Sequence, residues 1–354
     1  MRMVLLLLGL AGIACGFRPR AAVDSNSRSL GTEAESFPAA SFSRGVQAHV
    51  ASKQEWRDVR KCVSCHTNGW GLAAQPALAP GSHEVAVGRA FAQEYLMKYL
   101  EGRAQPSGQH GSTEGMVATA AFLAMSDART GLGLHAVTRQ GLDHAWELLD
   151  DSGTWEDWLQ CNWPPFESDA EFGPSLMLVA LGELNGVTRI ANQDRSNAKK
   201  LVAYLRAKPP VSLHAKAMRL WASKFWPDLL RAEEAVQWRG ELLEAQAADG
   251  GWSMASLSGP AWKRDGGKEQ TKTSEAYPTA FATYVLQRTE VADSAMQGAE
   301  DISTPIEKGR LWLRSNQREN GEWFTRSPRR DGKHYISRAA SAFALMALAE
   351  GRER

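Results

Sequence analysis

Six alanine-rich apolar segments recur along this chain and constrain its fold more than any other feature. Each has the length of a helix, and the last is apolar on nearly every side, so other elements must enclose it. The sequence between these segments is amphipathic, as in residues 307–315, where Leu311, Trp312 and Leu313 are flanked by basic residues. The pattern predicts alternating buried and half-exposed helices and no strands. The six segments are 69–78, 114–125, 172–184, 212–223, 276–286 and 336–348.

The length of 354 residues would suggest about two domains. The repeat reduces this number to one, because residues 49–354 form one series of similar helical units. An open helical solenoid and a closed ring satisfy this periodicity equally well.

The charge balance excludes one class of partner. Forty-one basic side chains face 40 acidic ones, which leaves a net charge of +1. Such a chain has no overall field that attracts polyanions, so nucleic acid is not an expected partner.

Residues 1–15 have the pattern of an export signal, with Arg2 before an apolar run that ends at Cys15. The run is shorter than the roughly 20 residues of a membrane-spanning helix, so no transmembrane helix is expected in the mature chain. Gly12-Ile13-Ala14-Cys15 is similar to a bacterial lipobox. Either Cys15 carries a lipid anchor or the chain is cleaved near Ala14. The sequence therefore predicts a periplasmic protein or a membrane-anchored lipoprotein, with residues 16–48 as a disordered, serine-rich tether.

Two turns share the pattern Gln-x-x-x-Gly-x-Trp, and a third turn lacks only the glutamine. A glycine with positive φ ends the outer helix, the indole packs over that end, and the glutamine can bond freed carbonyls. We therefore interpret the pattern as structural. Its members are Gln246, Gly250 and Trp252, then Gln317, Gly321 and Trp323, and in the looser copy Gly153 and Trp155.

These turns, which join amphipathic outer helices to alanine-rich inner ones, resemble those of the squalene/hopene cyclase and protein prenyltransferase superfamily over residues 55–350. The resemblance implies an all-α fold, a closed α/α toroid with about six inner and six outer helices. It also implies a central cavity for a hydrophobic small molecule such as an isoprenoid. The chemistry of the family is not matched. The cyclase motif Asp-x-Asp-Asp is absent, and no clear prenyltransferase zinc triad is present, so enzymatic activity stays an open question.

An acidic and aromatic stretch precedes the third inner segment and carries the candidate catalytic residues Glu167 and Asp169. A carboxyl group with a raised pKa beside aromatic rings can donate a proton or stabilise a cation. Helix capping by Ser168 or Asp169 explains the same residues. Nearby Cys161 is interpreted as a small buried side chain.

The most specific chemical motif is Cys62-Val63-Ser64-Cys65-His66. It is the attachment motif of haem c, in which both thiols bond to the porphyrin and the histidine coordinates iron. The alternatives are a zinc site with Cys62, Cys65, His66 and one distant ligand, a thioredoxin-like redox pair, or a motif that binds nothing. Haem c is attached outside the cytoplasm, in agreement with the export signal.

The motif leads directly into the first inner segment, which leaves no room for a separate cytochrome domain. The predicted haem is therefore held by the toroid itself, and its sixth ligand is open among Met97, Met116, Met125 and His83. The predicted function is electron transfer to a redox partner or haem-based ligand binding. The alternative is an isoprenoid- or terpenoid-binding or -converting enzyme.

Overall fold

The helices of the computed structural model alternate between an inner and an outer layer. The structure describes residues 39–79, 81–103, 112–155, 158, 163–293 and 302–350, which contain twelve helices of nine residues or more. The predicted export signal, the lipobox Cys15, the tether up to residue 38 and Cys161 lie outside these residues.

We number the twelve helices α1 to α12. The inner layer consists of the even-numbered helices: α2 (Trp70–Leu78), α4 (Ser112–Thr130), α6 (Phe172–Val187), α8 (Leu213–Ser223), α10 (Ala276–Asp293) and α12 (Ile336–Ala349). The outer layer consists of the odd-numbered helices: α1 (Ala39–Arg60), α3 (His83–Leu100), α5 (Ala136–Glu147), α7 (Asn192–Ala207), α9 (Ala232–Glu244) and α11 (Ser303–Ser315).

The inner helices form a closed ring. Each packs on the next inner helix, and α12 packs back on α2. Each outer helix lies against an inner helix. The all-α toroid with six inner and six outer helices is therefore confirmed, and the open solenoid that the periodicity also allowed is not formed. Each inner helix begins within two residues of its predicted segment.

Helix α1 begins at Ala39, inside the segment 16–48 that the sequence assigned to a tether. Tertiary packing explains the difference, because the backbone of Gly45 lies against the Trp323 ring and Gln317 Nε2 donates a hydrogen bond to the Ser41 carbonyl at 2.9 Å. The segment is polar in composition, but its end is held in place by the turn that contains Gln317 and Trp323.

The repeated turns have the same geometry in all three copies. Gly153, Gly250 and Gly321 have φ values of 84°, 88° and 89°. Each following tryptophan donates its indole N–H to the carbonyl ten residues earlier, at 2.7–2.9 Å. Gln246 and Gln317 do not bond the freed helix carbonyls. Each donates instead to its own turn glycine and to a carbonyl in the first turn of another outer helix.

Side chains fill the centre of the ring in its described part. Trp70 of α2 stacks on Trp221 of α8, which lies across the ring, with 6.1 Å between centroids and an interplanar angle of 22°. Phe343 and Phe122 lie 4.5 and 5.1 Å from Trp70. The central cavity implied by the resemblance is therefore occupied at this level by the protein's own aromatic side chains.

Toward the C-terminal ends of the inner helices, Arg129 joins five members of the ring. From α4 it forms a two-pronged ion pair with Glu183 of α6, with N–O distances of 2.6 and 2.7 Å. It also donates to Tyr284 Oη of α10 at 3.1 Å, Met346 Sδ of α12 at 3.1 Å and the Ala73 carbonyl of α2 at 2.7 Å. Within the described part of the chain, no helix is both long and apolar enough to span a membrane.

Candidate metal centre at the N-terminal mouth of the ring

The Cys-x-x-Cys-His segment forms the entry to α2. Lys61 ends α1 with a φ of 55°, and residues Cys65–Gly69 form one π-helical turn that leads into α2. Asn68 holds this segment together, because its Oδ1 accepts from the Ser64 N–H and its Nδ2 donates to the Cys62 carbonyl, both at 2.9 Å. The motif is thus a closed loop on the first inner helix.

The two thiols differ in exposure. Cys62 is half-buried and Cys65 is buried, and neither is in a disulfide. Burial raises the pKa of the Cys62 thiol, and the neighbouring Trp56 and Arg60 partly offset this. The Cys62 thiol is therefore neutral at physiological pH unless a metal or a covalent bond changes it.

His66 is 5% exposed and lies between aromatic rings, with Phe166 at 5.0 Å and Trp163 at 6.0 Å between centroids. Its Nδ1 is 3.7 Å from Glu167 Oε1. Burial lowers the pKa of the imidazole, while Glu167 and the carbonyls of Trp163 and Pro164 partly offset this effect. Nε2 is buried and has no hydrogen-bond partner among the described residues. We therefore assign the proton to Nδ1, which leaves the Nε2 lone pair available to a ligand.

Two carboxylates lie beside Cys65. The sulfur of Cys65, one oxygen of Glu114 and one oxygen of Glu167 all lie within 4.8 Å of one another, and all three residues are buried. Glu114 stands in the first turn of α4, and Glu167 precedes α6. The N-terminal ends of three inner helices thus converge at this point. Sequence reasoning missed Glu114, for which the acidic start of an apolar segment was the only signal.

The two predicted catalytic carboxylates have different surroundings. Glu167 faces His66, whereas Asp169 Oδ1 accepts from the backbone N–H groups of Glu171 and Phe172, both at 3.0 Å. Burial raises the pKa of Asp169, and these two hydrogen bonds partly offset the increase. This is the geometry of a helix cap, so capping, the alternative given in the sequence analysis, describes Asp169 well.

The four candidate sixth ligands are spread over two helices. Met116 and Met125 are buried on α4, Met97 is partly buried on α3, and His83 is exposed at the start of α3. Met116 is two positions from Glu114, whereas Met125 is nine residues further along, a distance of about 13 Å at the helical rise. Met116 is therefore the one that α4 places nearest to the carboxylates.

No family model and no curated protein matches this chain. Solved structures match its fold. A glycosyl hydrolase family 88 protein from Bacteroides vulgatus has a TM-score of 0.53 at 10% identity, over 87% of this chain and 98% of that one. An unsaturated glucuronyl hydrolase from Bacillus sp. GL1 has a TM-score of 0.53 at 12% identity, over 87% and 96%. The type II terpene cyclase MstE from Scytonema has a TM-score of 0.50 at 13% identity, over 88% and 98%.

These likenesses show the fold alone. The α/α toroid of this chain is one that glycosidases and a terpene cyclase also adopt. They supply no information about haem.

Proposed function

We propose that this chain is an exported protein that carries haem c on Cys62 and Cys65, with His66 as an iron ligand, and that it transfers electrons or binds a ligand at the iron. The observation that carries the proposal is the His66 imidazole. Its Nδ1 lies 3.7 Å from the Glu167 carboxylate, the ring interacts with the carbonyls of Trp163 and Pro164, and its Nε2 is buried without a polar partner among the described residues. Histidines that bind metals commonly present the other ring N–H to a carboxylate or a carbonyl, which fixes the tautomer.

The donor set fits the group. Cys62 and Cys65 would form the two thioether bonds, and His66 would ligate iron through Nε2. Glu167 and the carbonyls of Trp163 and Pro164 orient the imidazole. Haem, when bound, supplies one-electron exchange or an axial position for a ligand.

Expression in a host with haem maturation tests the proposal. We expect a red protein whose colour survives denaturation and whose reduced pyridine derivative has the spectrum of haem c. Cys65→Ala removes covalent retention of the colour, and Cys62→Ala weakens it to a single attachment. Cys161→Ala alters the cysteine that follows the motif in sequence and leaves the spectrum unchanged.

One observation favours a second occupant of the same mouth. Cys65, Glu114 and Glu167 within 4.8 Å form a donor set that zinc or a similar divalent ion accepts. Glu114→Gln and Cys62→Ala separate the two occupants. Haem loses one of its two covalent bonds on Cys62→Ala and tolerates Glu114→Gln, whereas the ion requires Glu114 and tolerates Cys62→Ala. A colourless wild type with one bound ion, lost on Glu114→Gln, overturns the haem proposal.

The fold supports a further candidate, an isoprenoid- or terpenoid-binding or -converting enzyme, since a type II terpene cyclase has the same architecture. Because aromatic side chains fill the ring around Trp70 and Trp221, we propose that such a site would lie at the mouth of the ring. If Glu167→Gln combined with Asp169→Asn leaves binding and turnover of polyprenyl substrates unchanged, these carboxylates are structural and this candidate fails.

A further inference from the structure

A groove separates the outer helices α1 and α3 where both cover the first inner helix. Its volume is about 180 Å³, and α2 together with the preceding residues 63–69 forms its floor. The walls are largely apolar, with Val50 from α1, Val63 and Leu72 from the floor, and Val87 and Phe91 from α3. None of these residues belongs to the donor set described above.

Lys53 of α1 crosses the floor of this groove. Its aliphatic chain occupies the space beside Gly71 that a Cβ atom there would fill, and its ammonium group donates to Gln75 Oε1 of α2. Gln75 is buried and neutral. An ammonium group has three donors, and this amide is the one hydrogen-bond acceptor that the described residues give it. The groove therefore contains a cation whose opposite charge is not supplied by direct contact with a described residue.

The other charges near Lys53 lie toward the rim of the groove. Arg57 of α1 pairs with Asp58, with Nε and Oδ1 3.1 Å apart, and Glu84 of α3 adds an anion at the exposed rim. Beneath Lys53, burial lowers the pKa of His49 well below its ordinary value, so this ring is neutral. Gln75 is the polar group that α2 contributes, and His83 of α3 is exposed. A single negative charge therefore balances Lys53, whereas a dianion would be repelled by Asp58 and Glu84.

The volume limits the size of the ligand. An apolar protein cavity of about 150 Å³ holds benzene. A groove of about 180 Å³ thus accommodates a chain of about six carbons and one polar head group.

We infer that this groove binds a small monocarboxylate, with the carboxylate on Lys53 and Arg57 and the short apolar chain along Val63, Leu72 and Phe91. The charge-assisted hydrogen bonds provide orientation, and the apolar side chains favour a short aliphatic chain. The site is independent of the occupant at Cys65, although Val63 and Asn68 make it adjacent to the motif.

The pH dependence follows from the state of Lys53. Burial lowers its pKa to about 7, with Glu84 opposing this effect and Arg57 adding to it. A bound carboxylate favours the ammonium form, so binding takes up a proton above that pKa. Affinity should therefore be greatest below pH 7 and fall by up to about tenfold per pH unit above it.

Calorimetric titration of the full-length protein with sodium hexanoate and with 1-hexanol tests the site. At pH 6.5 we expect hexanoate to bind at least tenfold more tightly than hexanol, and less tightly at pH 8.5. Lys53→Met should remove this preference while it leaves hexanol binding unchanged, which shows that the groove is intact. Lys98→Met, at an exposed position of α3 where the lysine pairs with Glu94, is the matched control and should bind like the wild type.

Equal affinity for hexanoate and hexanol, or an unchanged preference in Lys53→Met, overturns the inference. Absence of binding of either compound to a folded protein does so as well.

Discussion

Glu275 shows how strongly its position in the fold alone changes the pKa of a carboxyl group in this protein. It directly precedes α10 and is 8% exposed. Its Oε1 accepts from the Arg326 N–H at 2.8 Å. Burial raises its pKa to about 7, and this hydrogen bond opposes the shift without cancelling it. Near neutral pH the residue is therefore partly protonated, unlike a glutamate in solvent.

We predict that Glu275 makes the protein less stable as the pH rises. Between the ordinary pKa of about 4.5 and the folded value of about 7, the folded state holds a proton that the unfolded state has lost. Raising the pH through this window thus favours unfolding, by up to roughly 3 kcal/mol. Glu275→Gln resembles the protonated acid, so urea unfolding at pH 5 and pH 7.5 should show a smaller difference in the variant. If the wild type and the variant lose the same free energy of unfolding between pH 5 and pH 7.5, the raised pKa is not that of Glu275.

The motif residues of the candidate metal centre could be predicted because they are contiguous, and Glu114 could not. Cys62, Cys65 and His66 stand within one loop, so their spacing alone indicates their chemistry. Glu114 reaches Cys65 through the packing of α4, whose apolar residues surround the axis and conceal which face is inward. Similarly, only the turn at 163–169 decides that Glu167 and not Asp169 faces His66.

The repeated turns show why a helix layer of this kind needs glycine. A Cβ on Gly250 would lie 2.8 Å from the Lys308 carbonyl oxygen of α11, and one on Gly321 would lie 2.5 Å from that of Arg44 in α1. Gly153 meets Lys200 of α7 at 2.8 Å in the same way. Glycine is therefore needed at each of these positions for two reasons. It adopts the positive φ, and it leaves room for the close approach of another outer helix.

Gly321→Ala should be clearly more destabilising than Gly266→Ala. Both positions have positive φ, 89° and 76°, which costs an alanine about 1–2 kcal/mol. At Gly266 nothing lies within 4 Å of the new methyl group, whereas at Gly321 it overlaps the α1 backbone. We expect a loss above about 2 kcal/mol for Gly321→Ala and about 1 kcal/mol for Gly266→Ala. Chemical unfolding of both variants measures the difference, and equal losses would mean that the helix contact contributes nothing.

The inner helices could be predicted to within two residues at their starts because burial on all sides leaves a continuous apolar segment. The beginning of α1 could not, since its first turns are polar and are ordered by contacts with residues near 320. The local amino-acid composition does not indicate such a contact, because the two partners are far apart in the sequence.

One polar group in the apolar interior connects most of the inner helices. Arg129 and Glu183 have side chains only 9% and 7% exposed, and the guanidinium bonds partners on four other inner helices. A buried charge in such a position is stable only while its partners are present. The toroid thus contains one polar junction whose loss affects several inner helices together.

Arg129→Met should destabilise the protein by about 3–5 kcal/mol, because Glu183 is left buried without its counter-charge. Arg129→Met combined with Glu183→Met removes the uncompensated charge, so the double variant should recover a substantial part of this loss. Thermal and urea unfolding of the single and double variants measures both effects. A double variant as unstable as Arg129→Met would show that the junction acts through packing and not through charge.

The contact of α12 with α1, with α2 and with the π-helical turn at Cys65–Gly69 also sets an order of events. The chain emerges from its N-terminus, so the segment that contains Cys65 is made near the beginning and its cover is made last. Until α12 is in place, the segment that contains Cys65 and His66 lacks this part of its cover. An enzyme that modifies Cys65 therefore has better access to the thiol before the ring is complete than after it.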